Sequence, residues 1–122
     1  MSKIKISNDR ETIKVALLES MFALQSDMVG VTDPAKRAGF EAEINKLMVE
    51  IGRLMSAIID DAVDDLLNDA EFKDDLAVIR KGAKDAKAAA ELVKQATDKV
   101  KAAAKLIGKA AKPIDRILKY VL

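Results

Sequence analysis

Apolar residues recur at alternating spacings of three and four along the last fifty residues of the chain. One row of positions is mostly bulky or β-branched: Phe72, Ile79, Ala86, Val93, Val100, Ile107, Ile114 and Val121. A second row is mostly alanine and is interrupted by a single threonine: Leu76, Ala83, Ala90, Thr97, Ala104, Ala111 and Leu118. On one helix the two rows form a single seam. The pattern predicts a long third helix whose alanines let a neighbouring helix approach closely.

An earlier helix is predicted from the same periodicity. Asn8 followed by Glu11 fits a capping box, so this helix begins near Asp9, and Gly30 stands where a C-terminal cap belongs. Its main apolar stripe contains Ile13, Leu17, Met21, Leu24 and Met28, and the stripe is widened by Val15, Leu18, Phe22 and Val29. Residues 1–7, where isoleucines alternate with lysines, are predicted to form an extended arm.

The clearest boundary in the sequence lies at Asp33 and Pro34. Asp33 can cap a second helix, and Pro34 fits the first helical turn, where its missing N–H is not needed. This helix is predicted to run to about Leu67, with an apolar band broad enough to contact two neighbours. Asn68 followed by Glu71 repeats the capping box and starts the third helix.

A break is predicted near the carboxyl end. Pro113 removes a backbone donor and crowds the preceding turn, so we expect a kink or break between Gly108 and Pro113. A short last helix then covers residues 114–122. The predicted fold is all-α: an antiparallel bundle of three long helices plus a short C-terminal helix, with coiled-coil-like packing. Residues 8–122 are predicted to form a single domain.

Four methionines are predicted to lie on the facing sides of the first helical hairpin: Met21, Met28, Met48 and Met55. Methionine is flexible and fills irregular gaps, so these side chains are interpreted as core. A methionine-lined groove for a partner is the alternative interpretation.

Short loops make successive helices antiparallel, so the second and third helices are also expected to pack against each other. Helices of unequal length then leave ends uncovered, and self-association, most simply as a two-fold dimer, would bury them. The predicted function is a non-enzymatic interaction or assembly module that binds a second copy or a partner protein through its long C-terminal helix. The predicted interface residues are Ala104, Ile107, Ala111, Ile114, Leu118 and Val121.

The amino-acid composition limits both the kind of core and the catalytic groups that the protein can have. Half of the 122 residues are apolar, yet the chain contains only three phenylalanines and one tyrosine, so its core must be aliphatic. It contains no cysteine and no histidine, which removes thiolate nucleophiles, the commonest general base and the commonest metal ligand. We therefore expect neither an enzyme nor a bound cofactor. The first residues lack the apolar region of a secretory signal, which makes the cytoplasm the expected location.

A net charge of +1 conceals two opposite blocks. Residues 60–75 carry a net charge of −7, and residues 76–122 carry a net charge of +8. Such blocks predict either self-complementarity, with the acidic block of one copy on the basic block of another, or two faces for two partners. An anionic membrane or a granule surface is the alternative partner of the basic block. Few arginines and no interleaved aromatic residues disfavour nucleic acid.

The acidic block contains a D-D-x-x-D sequence within Asp60-Asp61-Ala62-Val63-Asp64-Asp65. This sequence resembles the magnesium-diphosphate motif of all-helical prenyl-transferring enzymes, but the chain is too short for their deep cavity. The small all-helical nucleotide pyrophosphohydrolases are closer in size. The 3-residue spacing of Asp61 and Asp64 is similar to theirs, which makes a magnesium-dependent phosphohydrolase a further alternative. A solvated acidic helix end is the preferred interpretation.

Overall fold

The computed structural model describes residues 6–56 and 70–119. Within these ranges the chain forms four helices and no strand: α1 (Ile6–Met28), α2 (Pro34–Met55), α3 (Ala70–Gln95) and α4 (Lys99–Leu118). The all-α prediction is confirmed for this part of the chain. The description of three long helices and one short one is wrong, because α4 has 20 residues and is nearly as long as α1 and α2.

The first hairpin agrees with the sequence signals except at its start. α1 begins at Ile6, inside the predicted arm, and residues 1–5 lie outside the described ranges. At the start of α2, the side chain of Asp33 accepts a hydrogen bond from the backbone N–H of Ala35 at 3.2 Å, and Pro34 occupies the first helical position. This confirms the predicted cap. The predicted last turns of the second helix, together with Asn68, fall in residues 57–69, which are not described.

The long third helix is divided in two. α3 ends at Gln95, and Asp98 caps α4 by accepting a hydrogen bond from the backbone N–H of Lys101 at 3.1 Å. Thr97, the one polar residue in the seam, lies within this link. The prediction of a continuous helix through this region is therefore wrong. Asp98 offers its side chain to the backbone, which favours a helix start over a helix interior.

The predicted break between Gly108 and Pro113 is also wrong, because α4 continues through both residues. Pro113 is buried and faces Gly82 of α3. A Cβ atom built on Gly82 would lie 2.5 Å from Cβ of Pro113 and closer still to its Cγ. The proline ring therefore occupies the space that a side chain at position 82 would fill. Gly82 and Pro113 therefore form one close contact between α3 and α4.

The two hairpins, α1–α2 and α3–α4, lie side by side. α1 packs on α3 and α2 packs on α4, whereas α2 and α3 occupy opposite corners and barely touch. The predicted packing of the second helix against the third is therefore wrong for α2 and α3 as described, and its part at residues 57–67 lies outside the described residues. Helices within a hairpin are antiparallel. Contacts between hairpins run parallel, since Glu19 pairs with Lys94 while Asp9, nearer the start of α1, lies by Arg80, nearer the start of α3.

The core contains the predicted seam only as far as the end of α3. Along α3 the buried row is Phe72, Leu76, Ile79, Ala83, Ala86, Ala90 and Val93. Along α4 the buried row is Ala103, Leu106, Ala110, Pro113, Ile114 and Ile117. Most of the buried residues of α4 lie one position before the residues that the sequence pattern predicted, because the non-helical link at residues 96–98 shifts the helical periodicity. The alanines of α3 in the predicted seam are thus covered by other helices of the same chain, whereas Ala104 of α4 is exposed.

Substitution of Gly82 tests the contact with Pro113. We expect Gly82→Ala to lower the free energy of unfolding by about 1–2 kcal/mol, because the overpacking cost exceeds the gain in helix propensity. Gly108, which is helical and has open space around its Cα, is the matched control. Gly108→Ala should raise the free energy of unfolding by about 1 kcal/mol.

Urea denaturation of the three chains measures both effects. The double variant Gly82→Ala with Pro113→Ala should recover most of the loss, since it removes the ring that the new methyl group meets. Equal effects of alanine at positions 82 and 108 would show that the two helices do not approach as closely as described.

Candidate functional site

The predicted interface residues do not share one exposed face. Ala104 is exposed, whereas Ile114 is fully buried within its own chain. Three others, namely Ile107, Ala111 and Leu118, are half-buried, and Val121 lies outside the described residues. A role for this set in contacting another molecule stays a prediction. Ile114 can take part only if α4 leaves the bundle.

The alternative magnesium site, Asp61 with Asp64, also lies outside the described residues, so the structure does not test it. In residues 6–56 and 70–119 no three aspartate or glutamate side chains are grouped so that they could hold a metal ion. The buried carboxylates in these ranges are Glu43 and Asp75. Glu43 accepts a hydrogen bond from Lys46 at 3.1 Å.

Asp75 joins the start of α3 to the end of α4. Its side chain is buried, with Oδ1 3.1 Å from Nε of Arg116 and Oδ2 3.3 Å from Nζ of Lys119. Lys119 also lies 3.1 Å from Glu71. These hydrogen bonds, first to Glu71 and then to Asp75, raise the pKa of Lys119 above its usual value. Part of the acidic block is therefore neutralised by the basic block of the same chain.

Two further lysines connect α1 to the second hairpin. Nζ of Lys94 lies 2.6 Å from Glu19, and Nζ of Lys99 lies 3.3 Å from Asp27. The hydrogen bond to Glu19 is the largest contribution that raises the pKa of Lys94. Isolated surface ion pairs contribute about 0–1 kcal/mol each to the free energy of unfolding. These two pairs therefore add little stability and mainly favour the observed arrangement of neighbouring helices.

The remaining lysines of the second hairpin face solvent. None of the following makes an ion pair within the described part of the chain: Lys73, Lys81, Lys84, Lys87, Lys101, Lys105, Lys109 and Lys112. The basic block thus divides into residues that hold the bundle together and residues that remain available to a partner.

A groove with a basic rim runs along the outer surface between α3 and α4. It has a volume of about 510 Å³, and its apolar lining includes Ala89, Ala102 and Leu92. Leu92, in the last turn of α3, is 61% exposed. Three of the unpaired lysines form the rim: Lys101, Lys105 and Lys109.

A second surface, apolar rather than basic, lies on the first hairpin. Six of the seven large hydrophobic side chains that the described structure exposes belong to this hairpin: Val15, Phe22, Val29, Met48, Val49 and Met55. Val49, however, lies in a groove that Ile107 of α4 also lines. Phe22 is 58% exposed and Val29 is 83% exposed. Val15 and Phe22 are seven residues apart on one side of α1, and Val29 follows at the same spacing in the turn just after the helix ends.

The methionine prediction was wrong for α2, where Met48 and Met55 are exposed, while Met21 and Met28 of α1 pack against the core. Sequence reasoning treated the row through Phe22 as a widening of the core stripe. The spacing of this row can be read from the sequence. The sequence does not show, however, that the residues on the opposite side of α1 complete the core without it.

Comparison with known protein families, curated proteins and solved structures finds no match for this chain. None of the helices in the described ranges has the length and hydropathy needed to cross a membrane. The two surfaces are therefore interpreted from their own geometry and chemistry.

Substitution of Asp75 tests its ion pairs with Arg116 and Lys119. Asp75→Asn should lower the free energy of unfolding by about 1–2 kcal/mol, because Arg116 and Lys119 lose the charge that they surround. The neighbouring Asp74 is exposed and makes no ion pair, so Asp74→Asn should change stability by less than about 0.5 kcal/mol. Urea denaturation at pH 7 compares the two, and equal effects would contradict the structure.

Alkaline titration tests Lys119. Its pKa is higher in the folded chain than in the unfolded chain, so its stabilisation is complete below the unfolded pKa and is lost as the pH rises through the folded one. Lys119→Met should therefore be less stable than the parent at pH 7, and the difference should shrink above a pH of about 10. Lys112→Met, at an unpaired lysine, is the control. A difference that stays constant up to pH 11.5 would contradict the assignment.

Proposed function

We propose that this protein is a non-enzymatic assembly module and that two copies associate through the outer face of the first hairpin. One observation carries the proposal: α1 has large apolar residues on its solvent side as well as on its core side. Large apolar residues that lie together on an exposed surface mark a site of contact with another protein. In a single copy only one side of α1 is covered.

The two sides of α1 are well separated. Ile13, Leu17 and Leu24 are fully buried and face the other helices. The outer face carries Phe22 with a valine seven residues to either side of it. Met48 and Met55 add two exposed, adaptable side chains on α2. Aromatic residues and methionine are the types that protein interfaces favour over ordinary surfaces.

A second copy is the occupant that fits this pattern. The row Val15, Phe22 and Val29 is symmetric about its centre, so an antiparallel α1 from another copy would place Phe22 on Phe22 and Val15 opposite Val29. Between Ser20 and Gly30 the only charged residue is Asp27, which pairs with Lys99. The carboxyl-terminal half of this surface can therefore be buried without stripping water from an unpaired charge.

The C-terminal helix is a poorer candidate than sequence reasoning indicated. The apolar face of α4 packs on α3 and on the first hairpin, with Leu106, Ile114 and Ile117 fully buried. Binding through that face would first require its exposure, at about 1.5–3 kcal/mol for each such side chain. The outer face of α1 is accessible without any rearrangement.

Sedimentation equilibrium tests the association. The parent chain should show twice its chain mass of 13.2 kDa, and Phe22→Asp should weaken the dimer by about 30-fold or more, as removal of a central aromatic anchor does. Val49 is the matched control, because it is 61% exposed but lies in a different groove, which Ile107 also lines. Val49→Asp should leave the dimer intact. A parent chain that remains monomeric at 100 µM would overturn the proposal.

Disulfide trapping tests the orientation, since the chain contains no cysteine of its own. Chains with Val15→Cys and with Val29→Cys should form a covalent dimer when they are mixed and oxidised, because an antiparallel pair brings positions 15 and 29 together. Each chain oxidised alone should stay uncrosslinked. Crosslinking of each chain with itself would instead indicate a parallel pair and contradict the proposed geometry.

A further inference from the structure

We infer that the basic groove between α3 and α4 binds the acidic segment, residues 60–69, of another copy of this chain. The inference rests on the proposed function and adds to it a second contact between copies. Its basis is the match between a groove with an apolar floor and three unpaired lysines, and a segment of the same chain with the complementary character.

The groove presents two kinds of surface to an occupant. Its floor is apolar, and the half-exposed Leu92 offers a side chain that an occupant would cover. Its rim carries Lys101, Lys105 and Lys109, spaced four residues apart along α4 and therefore on one side of that helix. An occupant that fits must combine carboxylates with aliphatic side chains.

Residues 60–69 have that combination. The segment contains five aspartates and no basic residue, and four aliphatic residues lie between them: Ala62, Val63, Leu66 and Leu67. Two other acids of this block, Glu71 and Asp75, already contact Lys119 at the far end of α4, whereas Asp74 is exposed and makes no ion pair with the described residues.

The groove of the same chain is out of reach for this segment. Ser56 and Ala70 bound the segment, and both lie at the end of the bundle where Arg53 contacts Asp115 and Glu71 contacts Lys119. From Ala70 to Leu92 the distance along α3 is about 33 Å at 1.5 Å per residue. Val63, which is seven residues from both Ser56 and Ala70, can lie no more than about 25 Å from either of them. Occupation of the groove by this segment therefore requires a second copy.

The two contacts lie on different hairpins of the bundle, although Val15 also lines a groove that α1 shares with Lys87 and Glu91 of α3. The helices follow one another around it in the order α1, α2, α4 and α3, so the α1–α2 face is opposite the α3–α4 face. A molecule that uses both faces links dimers into larger assemblies. The α3–α4 contact depends on charge and should weaken with salt, whereas the apolar α1–α2 contact should not.

A peptide of residues 57–70 is the first probe. It should bind the full chain at low ionic strength and dissociate in 0.5 M NaCl, and a peptide with all its aspartates replaced by asparagine should not bind. The triple variant Lys101→Glu, Lys105→Glu and Lys109→Glu should bind it at least about tenfold more weakly. The control triple variant, Lys36→Glu, Lys73→Glu and Lys84→Glu, has the same net charge at exposed positions without ion pairs and should bind it normally. Equal losses in both triple variants would overturn the inference.

Charge exchange in the full chain is the second test. One variant chain carries Asp60→Lys, Asp61→Lys and Asp64→Lys, and the other is the groove triple variant. Each variant alone should lack the salt-sensitive association that sedimentation detects. An equimolar mixture should restore it, because each acidic surface then meets a basic one. A mixture that fails to associate would overturn the inference. So would a groove variant that loses binding to phosphatidylserine vesicles while its self-association is unchanged, since the groove would then be a membrane site.

The Phe22→Asp variant separates this inference from the proposed function. It should lose the salt-resistant dimer and still bind the acidic peptide, whereas the groove variant should keep the dimer and lose the peptide. Loss of peptide binding from Phe22→Asp, with its helical content unchanged, would show that the two contacts are not independent and would overturn the inference.

Discussion

The close packing of α3 on α4 is the contact on which the rest of the bundle depends. Gly82 and the alanines beside it leave a shallow surface, and α4 fills this surface with Pro113 and its own small residues. A proline inside a helix costs about 3 kcal/mol in lost hydrogen bonding and crowding. Burial of the proline ring against Gly82 and of Leu106, Ile114 and Ile117 in the core offsets that cost, so α4 remains helical.

The same contact determines how the charges are used. Because α4 folds back along the whole of α3, Arg116 and Lys119 reach the buried Asp75, and the acidic start of α3 is neutralised within the chain. Lys101, Lys105 and Lys109 have no such counterpart among the described residues and face solvent. Lys99, at the start of α4, instead pairs with Asp27. One chain thus contains both paired charges that fix helix order and unpaired charges available for binding.

The bundle consequently has two opposite faces of different character. The α1–α2 face exposes aliphatic, aromatic and methionine side chains, and the α3–α4 face exposes lysines around an apolar groove. This separation follows from the position of α2 and α3 at opposite corners, which leaves each hairpin with one outer face of its own. Two distinct contacts between copies, one insensitive to salt and one dependent on charge, are the functional consequence that we propose.

Patterns within single helices were predicted well from the sequence. Every seam position of α3 from Phe72 to Val93 is buried, and the Asp33 cap forms where the sequence indicated. The link at residues 96–98 was missed because the apolar repeat continues across it, although Thr97 and Asp98 are a polar pair with a capping residue. The break expected at Pro113 was wrong because the rule for proline considers only the local backbone, and Gly82 lies about thirty positions away in the sequence.

The sequence by itself determined that the chain is helical, which residues of α3 face a core, where α2 begins, and that opposite charges are divided between two blocks. These properties depend on neighbours within one or two helical turns. Only the tertiary structure decided that α4 is a full helix, that α1 packs on α3 rather than α2 on α3, and that the row through Phe22 is left uncovered. Those outcomes depend on which surfaces fit together across the bundle, and the periodicity of a single helix contains no information about its neighbours.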